Sequence, residues 1–262
     1  MTKQLDNIRA GGISRILLEL GAWDSDDELM KSAINLASRL QAELCGLFVE
    51  DIDLLHAANL PFTQEISLLS AQARKFDAAS VVQHLQSEAG KLRQQMESLA
   101  KISRVNCSFR IARGIRFNTI FEEGLNFELL ILTPTNKPYL SKKKSVQIDF
   151  NKPLVLFYDE LPQSKRALQV VQLLASNGLH GNISVLTTNE FNENEARKHL
   201  LDSKQVLHFE RLAEGDISSI INYSKMSAPG LVVIPLEEQL MGQMEKIKEL
   251  LNVLSCPLIL VR

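Results

Sequence analysis

Glycine is scarce in this chain, 12 residues in 262, and it is missing where chemistry most often demands it. There is no P-loop, no G-x-G-x-x-G after a strand and no G-x-S-x-G elbow. Serines such as Ser184 and Ser219 stand without a base announced beside them. The five histidines, His56, His84, His180, His199 and His208, form no pair at metal-ligand spacing. These absences predict a protein that is not an enzyme, has no metal centre and holds no resident cofactor.

Cysteine is equally sparse. Cys45, Cys107 and Cys256 lie far apart, each in an apolar run, which reads as small core residues rather than a disulfide framework. Charge of one sign is also lacking. A net charge of -2 and a pI near 6.2 supply no field for nucleic acid or an anionic membrane. The three-lysine run Lys142 to Lys144, flanked by Ser141 and Ser145, has no aromatic neighbours on which bases would stack. It reads as a solvated linker or as a seat for a phosphate or an acidic partner. Apolar runs such as Leu129 to Leu132 and Leu231 to Pro235 are strand-length, well short of the roughly 20 residues of a membrane helix. The polar stretch Met1 to Gly12 has no export signal, so the cytoplasm is the expected location.

What is present is a repeat. Arg15-Ile-Leu-Leu-Glu-Leu-Gly21 falls on Pro153-Leu-Val-Leu-Phe-Tyr-Asp159 at an offset of 138 (153 less 15), and Leu36-Ala-Ser38 falls on Leu174-Ala-Ser176. Further along, Arg113-Gly114 falls on Glu214-Gly215, and Leu130-Ile-Leu-Thr-Pro134 on Leu231-Val-Val-Ile-Pro235, at an offset of 101 (215 less 114). Each copy starts with a short continuous apolar run, the mark of a strand buried on both faces. A helix follows: Leu29, Ala33, Leu36, Ala37 and Leu40 form its stripe in the first copy, behind the capping residues Asp24 to Asp27. In the second, Pro162 opens the helix and Ala167, Val170, Val171 and Leu174 form the stripe. Second strands are expected at Leu44 to Val49 and Ile183 to Thr187. Alternating strands and helices predict an α/β fold of two tandem doubly wound parallel-sheet, Rossmann-like domains, residues 1–150 and 151–262, with a boundary near Asn136 to Lys152.

These features resemble the universal stress proteins in their tandem two-domain form, over the whole chain. The likeness is carried by Ile16 to Leu20 leading into an acidic turn, Leu47-Phe-Val-Glu-Asp51, the Arg113-Gly114 turn and the closing Ser255-Cys-Pro-Leu-Ile-Leu-Val-Arg262. The resemblance implies a stress-response role and an intrachain pseudo-dimer, with a homodimer possible in principle. Many members bind ATP through an aspartate ending the first strand and a loop G-x2-G-x9-G-[ST] after the fourth, where close backbone N–H groups cradle phosphates. Here the second-copy loop, Ile234 to Ile247, has proline at the first glycine, keeps only Gly242, and carries Glu237, Glu238 and Glu245 where polyphosphate would lie. The first-copy stretch, Thr133 to Ser145, has no glycine, and it leaves room for no more than a truncated sheet or a short edge strand at Val146 to Phe150.

The family aspartate is matched by Asp159, with Gly21 in its place in the first copy. Asp159 either caps the following helix or, with Thr187, forms one atypical ATP or AMP site. The change of offset, 37 (138 less 101), places an insertion of that size within residues 51–104. Ile66, Leu69, Ala73 and Phe76 form one stripe there and Leu85, Ala89, Leu92, Met96 and Leu99 another. One helix from Glu65 to Ala100 would run about 54 Å, so it breaks near Ser80 to His84 or projects. These helices either cover the first sheet or serve a structural adaptor whose exposed positions include Leu92. Leu54 to Phe62 is a further apolar segment, suited to a groove for a small ligand, a protein partner or a dimer contact.

Overall fold

The structure, a computed structural model, describes residues 13–21, 27–66, 71–135, 148–159, 162–176, 182–200, 206–212, 217–236 and 244–262. The first copy runs β1 (Arg15–Leu20), α1 (Asp27–Leu40), β2 (Glu43–Asp51), α2 (Ile52–Asn59), β3 (Gln64–Ile66), β4 (Ala73–Lys75), α3 (Ala78–Ser103), β5 (Cys107–Gly114), α4 (Arg116–Gly124) and β6 (Leu129–Leu132). The second runs β7 (Leu154–Tyr158), α5 (Pro162–Ser176), β8 (Ile183–Thr187), α6 (Glu190–Leu200), β9 (Leu207–Arg211), α7 (Ile217–Ser227), β10 (Leu231–Pro235), α8 (Met244–Val253) and β11 (Leu258–Val261). The apolar runs read as doubly buried strands are such: β6, β7, β10 and β11 are buried along their whole length.

Nine strands form one sheet in the order β5-β2-β1-β6-β11-β10-β7-β8-β9. Every neighbouring pair is parallel except β6 with β11, where Leu132 lies opposite Leu258 and Leu129 opposite Val261. The fold is thus α/β, Rossmann-like and mostly parallel, and the two copies share one sheet instead of holding two separate ones. The first copy contributes four strands and the second five. Residues 148–150 are not a strand, and Val146 and Gln147 of the expected edge strand lie outside the described residues. With no fifth strand among its described residues, the first copy has its β6 edge paired by β11 of the second, which satisfies the backbone groups there.

Helices cover both faces, as a buried parallel sheet requires. On one face, Leu29, Ala33, Leu36 and Ala37 of α1 and Ala167, Val170, Val171 and Leu174 of α5 join one core with α3 and α6; on the other, α4, α7 and α8 pack through Ile120, Ile221 and Leu250. At the two edges of the sheet, Arg93 lies 5.3 Å from the Phe109 ring on β5 and Arg197 lies 4.2 Å from the Phe209 ring on β9. Each edge strand therefore carries a cation over a half-buried aromatic that packs against the core.

The insertion corrects one expectation and decides another. Ile66, Ala73 and Phe76 do not share a helix: Gln64–Ile66 pairs antiparallel with Ala73–Lys75, and Leu69 lies outside the described residues. Four apolar residues at helical steps are too short a pattern to outweigh Pro61 and a left-handed Phe62 (φ 66°) ahead of them. The long helix starts later, at Ala78, because Asp77 caps it by accepting from the Ser80 N–H at 3.0 Å. From there it covers the first sheet. Val81, Leu85, Ala89, Leu92, Met96 and Ala100 are buried, so Leu92 is a core residue and not an exposed adaptor position. Gly46 of β2 lets the helix approach, since a Cβ there would meet Met96 Sδ at 2.5 Å.

Cys45 and Cys256 are buried and Cys107 is half-buried, all three as free thiols. Burial pushes the Cys107 thiol up to about 11 and that of Cys256 up to about 12, and raises Cys45 as well. At neutral pH they stay protonated, as inert core thiols do.

Candidate functional site

Doubly wound sheets take ligands at the carboxyl ends of their strands, where strand order reverses. In this chain that point lies between β1 and β6 in the first copy and between β7 and β10 in the second. Because β6 and β11 are antiparallel, the two crevices open at opposite ends of the sheet.

The first crevice is built from three elements. β1 brings Glu19, 2% exposed despite its charge; the chain leaving β6 brings Thr133, 1% exposed; and α4 brings Arg116 at its first position. Glu19 Oε2 accepts from the Thr133 N–H at 3.1 Å and from the Thr133 hydroxyl at 2.7 Å. Glu19 Oε1 accepts from Arg116 Nε at 2.8 Å and from Arg116 Nη2. Arg116 Nη2 also donates to the Thr133 hydroxyl at 3.3 Å. Both carboxylate oxygens are thereby satisfied, as a buried charge requires. The Arg113-Gly114 turn sets α4 in place. A side chain at Gly114 would strike the Thr119 hydroxyl, and Arg113 itself grips the buried Glu50 at 2.8 and 2.6 Å.

At the offsets of the repeat, the second copy holds Phe157, Ile217 and Ile234 where the first holds Glu19, Arg116 and Thr133. All three are buried and belong to one apolar cluster. Asp159 leaves the end of β7, and its carboxylate accepts from the Ser164 hydroxyl in the first turn of α5, the position of a helix-start residue. Thr187 ends β8 opposite Tyr158. It is wholly buried, and its hydroxyl has no hydrogen-bond partner among the described residues. Beside it the Tyr158 hydroxyl donates to Glu195 at 2.9 Å. That bond pulls the Glu195 carboxyl below its ordinary range, while burial raises the Tyr158 phenol. The loop 237–243 with Gly242, Glu237 and Glu238, and the run Lys142 to Lys144, lie outside the described residues; Glu245 is in the first turn of α8.

Sequence reasoning missed the Glu19 cluster. The signal was available in the repeat, where three positions change from charged or polar to apolar in step. Of the segment Leu54 to Phe62, only Ala58 to Phe62 line a groove: with Gln64 and Phe76 they border an open volume of about 510 Å³, and Phe62 is 99% exposed. Among the described residues no group of three or more His, Cys, Asp or Glu side chains is arranged to hold a metal. Nor, among them, is any helix long and apolar enough to cross a membrane.

No protein-family model matches the chain. No curated protein matches it in sequence. Among solved structures, a heptosyltransferase WaaC with ADP from E. coli (TM-score 0.24, 10% identity, 84% of this chain and 81% of that one) and a family 9 glycosyl transferase from Veillonella parvula DSM 2008 (0.24, 10%, 91% and 78%) align too loosely to carry an argument. A universal stress protein from Archaeoglobus fulgidus DSM 4304 aligns with TM-score 0.58 at 8% identity, over 96% of this chain and 97% of that one. Over nearly its whole length, this chain shares its fold with a universal stress protein.

Proposed function

We propose that this chain is a stress-response binding or regulatory protein of the universal stress type, without catalytic activity, which does not take ATP through a glycine-rich loop. The observation that carries this reading is the Glu19 carboxylate at the first crevice, locked onto Thr133 and Arg116. A polyphosphate there would meet a buried negative charge, and Thr133 to Thr135 offer no glycine for close backbone approach. In the second copy, Phe157, Ile217 and Ile234 put apolar surface at the same place. Neither set suits ATP. The binding partner, on this reading, is a protein, a second copy of the chain or a small ligand, and the insertion that sets the copies apart is the natural place for it. Nucleic acid, membranes and a resident cofactor have no part, and the cytoplasm is the proposed location.

A second reading is favoured by one observation, the buried Thr187 hydroxyl, which has no hydrogen-bond partner among the described residues. Buried hydroxyls usually find a partner, and a nucleotide at Asp159 and Thr187 would supply one. It would have to displace Ser164 from Asp159 and open the cover over Thr187. Thermal unfolding with ATP and AMP separates the two readings. The first expects the midpoint to stay unchanged at millimolar nucleotide. The second expects a rise that Asp159→Ala abolishes.

A further inference from the structure

The Glu19 cluster has the donor set of an oxyanion site. A guanidinium presenting two N–H groups, a backbone N–H and a hydroxyl converge on one carboxylate, and such donors bind carboxylates and phosphates alike. The fold does not demand this set, because the second copy builds the same junction from Phe157, Ile217 and Ile234. The Arg116 side chain is 28% exposed, against 3% for Glu19, which enters from within the sheet. We propose that Thr133 and Arg116 form an oxyanion subsite which Glu19 occupies as a tethered internal ligand. The free ligand that fits the subsite is a small carboxylate or a phosphate. This inference rests on the donor geometry alone and stands whether or not the family reading does.

Chemical rescue tests it. Thermal unfolding of Glu19→Ala is measured in sodium chloride, acetate and phosphate at one ionic strength, beside the unaltered chain and the double variant Glu19→Ala/Arg116→Ala. The expected result is a lowered midpoint for Glu19→Ala in chloride. It then rises in acetate or phosphate on the order of 5 °C at a hundredfold excess over Kd, with no such rise in the unaltered chain or the double variant. Whichever anion acts at the lower concentration distinguishes a carboxylate from a phosphate ligand. Should Glu19→Ala not fold in chloride, the yield of folded protein on refolding in each anion is the readout, and recovery confined to acetate or phosphate supports the subsite. Equal responses in all three chains, or no response and no recovery in either anion, overturn it.

Discussion

Arg116→Ala lowers stability by about 3–5 kcal/mol, the cost of leaving a buried carboxylate without its cation, and the thermal midpoint falls by about 5–9 °C. Glu19 is 2% exposed and receives two of its hydrogen bonds from Arg116, so the truncation leaves its Oε1 without a cation at the junction of β1, β6 and α4. The triple variant Glu19→Phe/Arg116→Ile/Thr133→Ile recovers most of that loss, because it installs the side chains that the second copy already packs at the equivalent positions. Replacing a buried ion pair by apolar residues of matching shape is often neutral or better. A triple variant no more stable than Arg116→Ala would mean that the two junctions are not equivalent in shape.

Deletion of Leu258 to Val261 abolishes folding of the whole chain, not only of its second half. β11 is the seam: it pairs with β10 on one side and with β6 of the first copy on the other. Its four side chains are fully buried, and burial of each contributes about 1.5–3 kcal/mol. Their sum approaches the whole of a typical domain's stability, about 5–15 kcal/mol. The truncated chain also exposes two strand edges in the middle of the sheet, a template for aggregation. The expected outcome is insoluble protein with no cooperative transition. A soluble truncated chain in which the first copy still melts cooperatively would show the copies to be independent.

The repeating strands and helices were legible because each is declared locally. Continuous apolar runs such as Leu231 to Pro235 and the stripe Ala167, Val170, Val171 and Leu174 carry their own period, and the structure buries them as read. The seam was not legible. Nothing in Leu258 to Val261 says that its second neighbour is β6 running the other way, since pairing between distant strands is set by which edge remains unsatisfied once the copies fold. The β3–β4 ribbon is not legible either: six residues of strand carry too short a pattern to distinguish period 2 from period 3.6. At the candidate site, Asp159 was visible as a strand-end acid, but its bond to Ser164 comes from the turn geometry. Glu19 lay hidden inside a strand because its partners Arg116 and Thr133 are 97 and 114 residues away, and no local pattern names them.

The proposal that this chain is a binding protein of universal stress fold, with strand-end crevices closed to ATP by its own side chains, is open to one decisive test: the chain is isolated from its host and denatured, and the released small molecules are identified by mass spectrometry. Release of no nucleotide is the expected result. A nucleotide recovered in stoichiometric amount would contradict it.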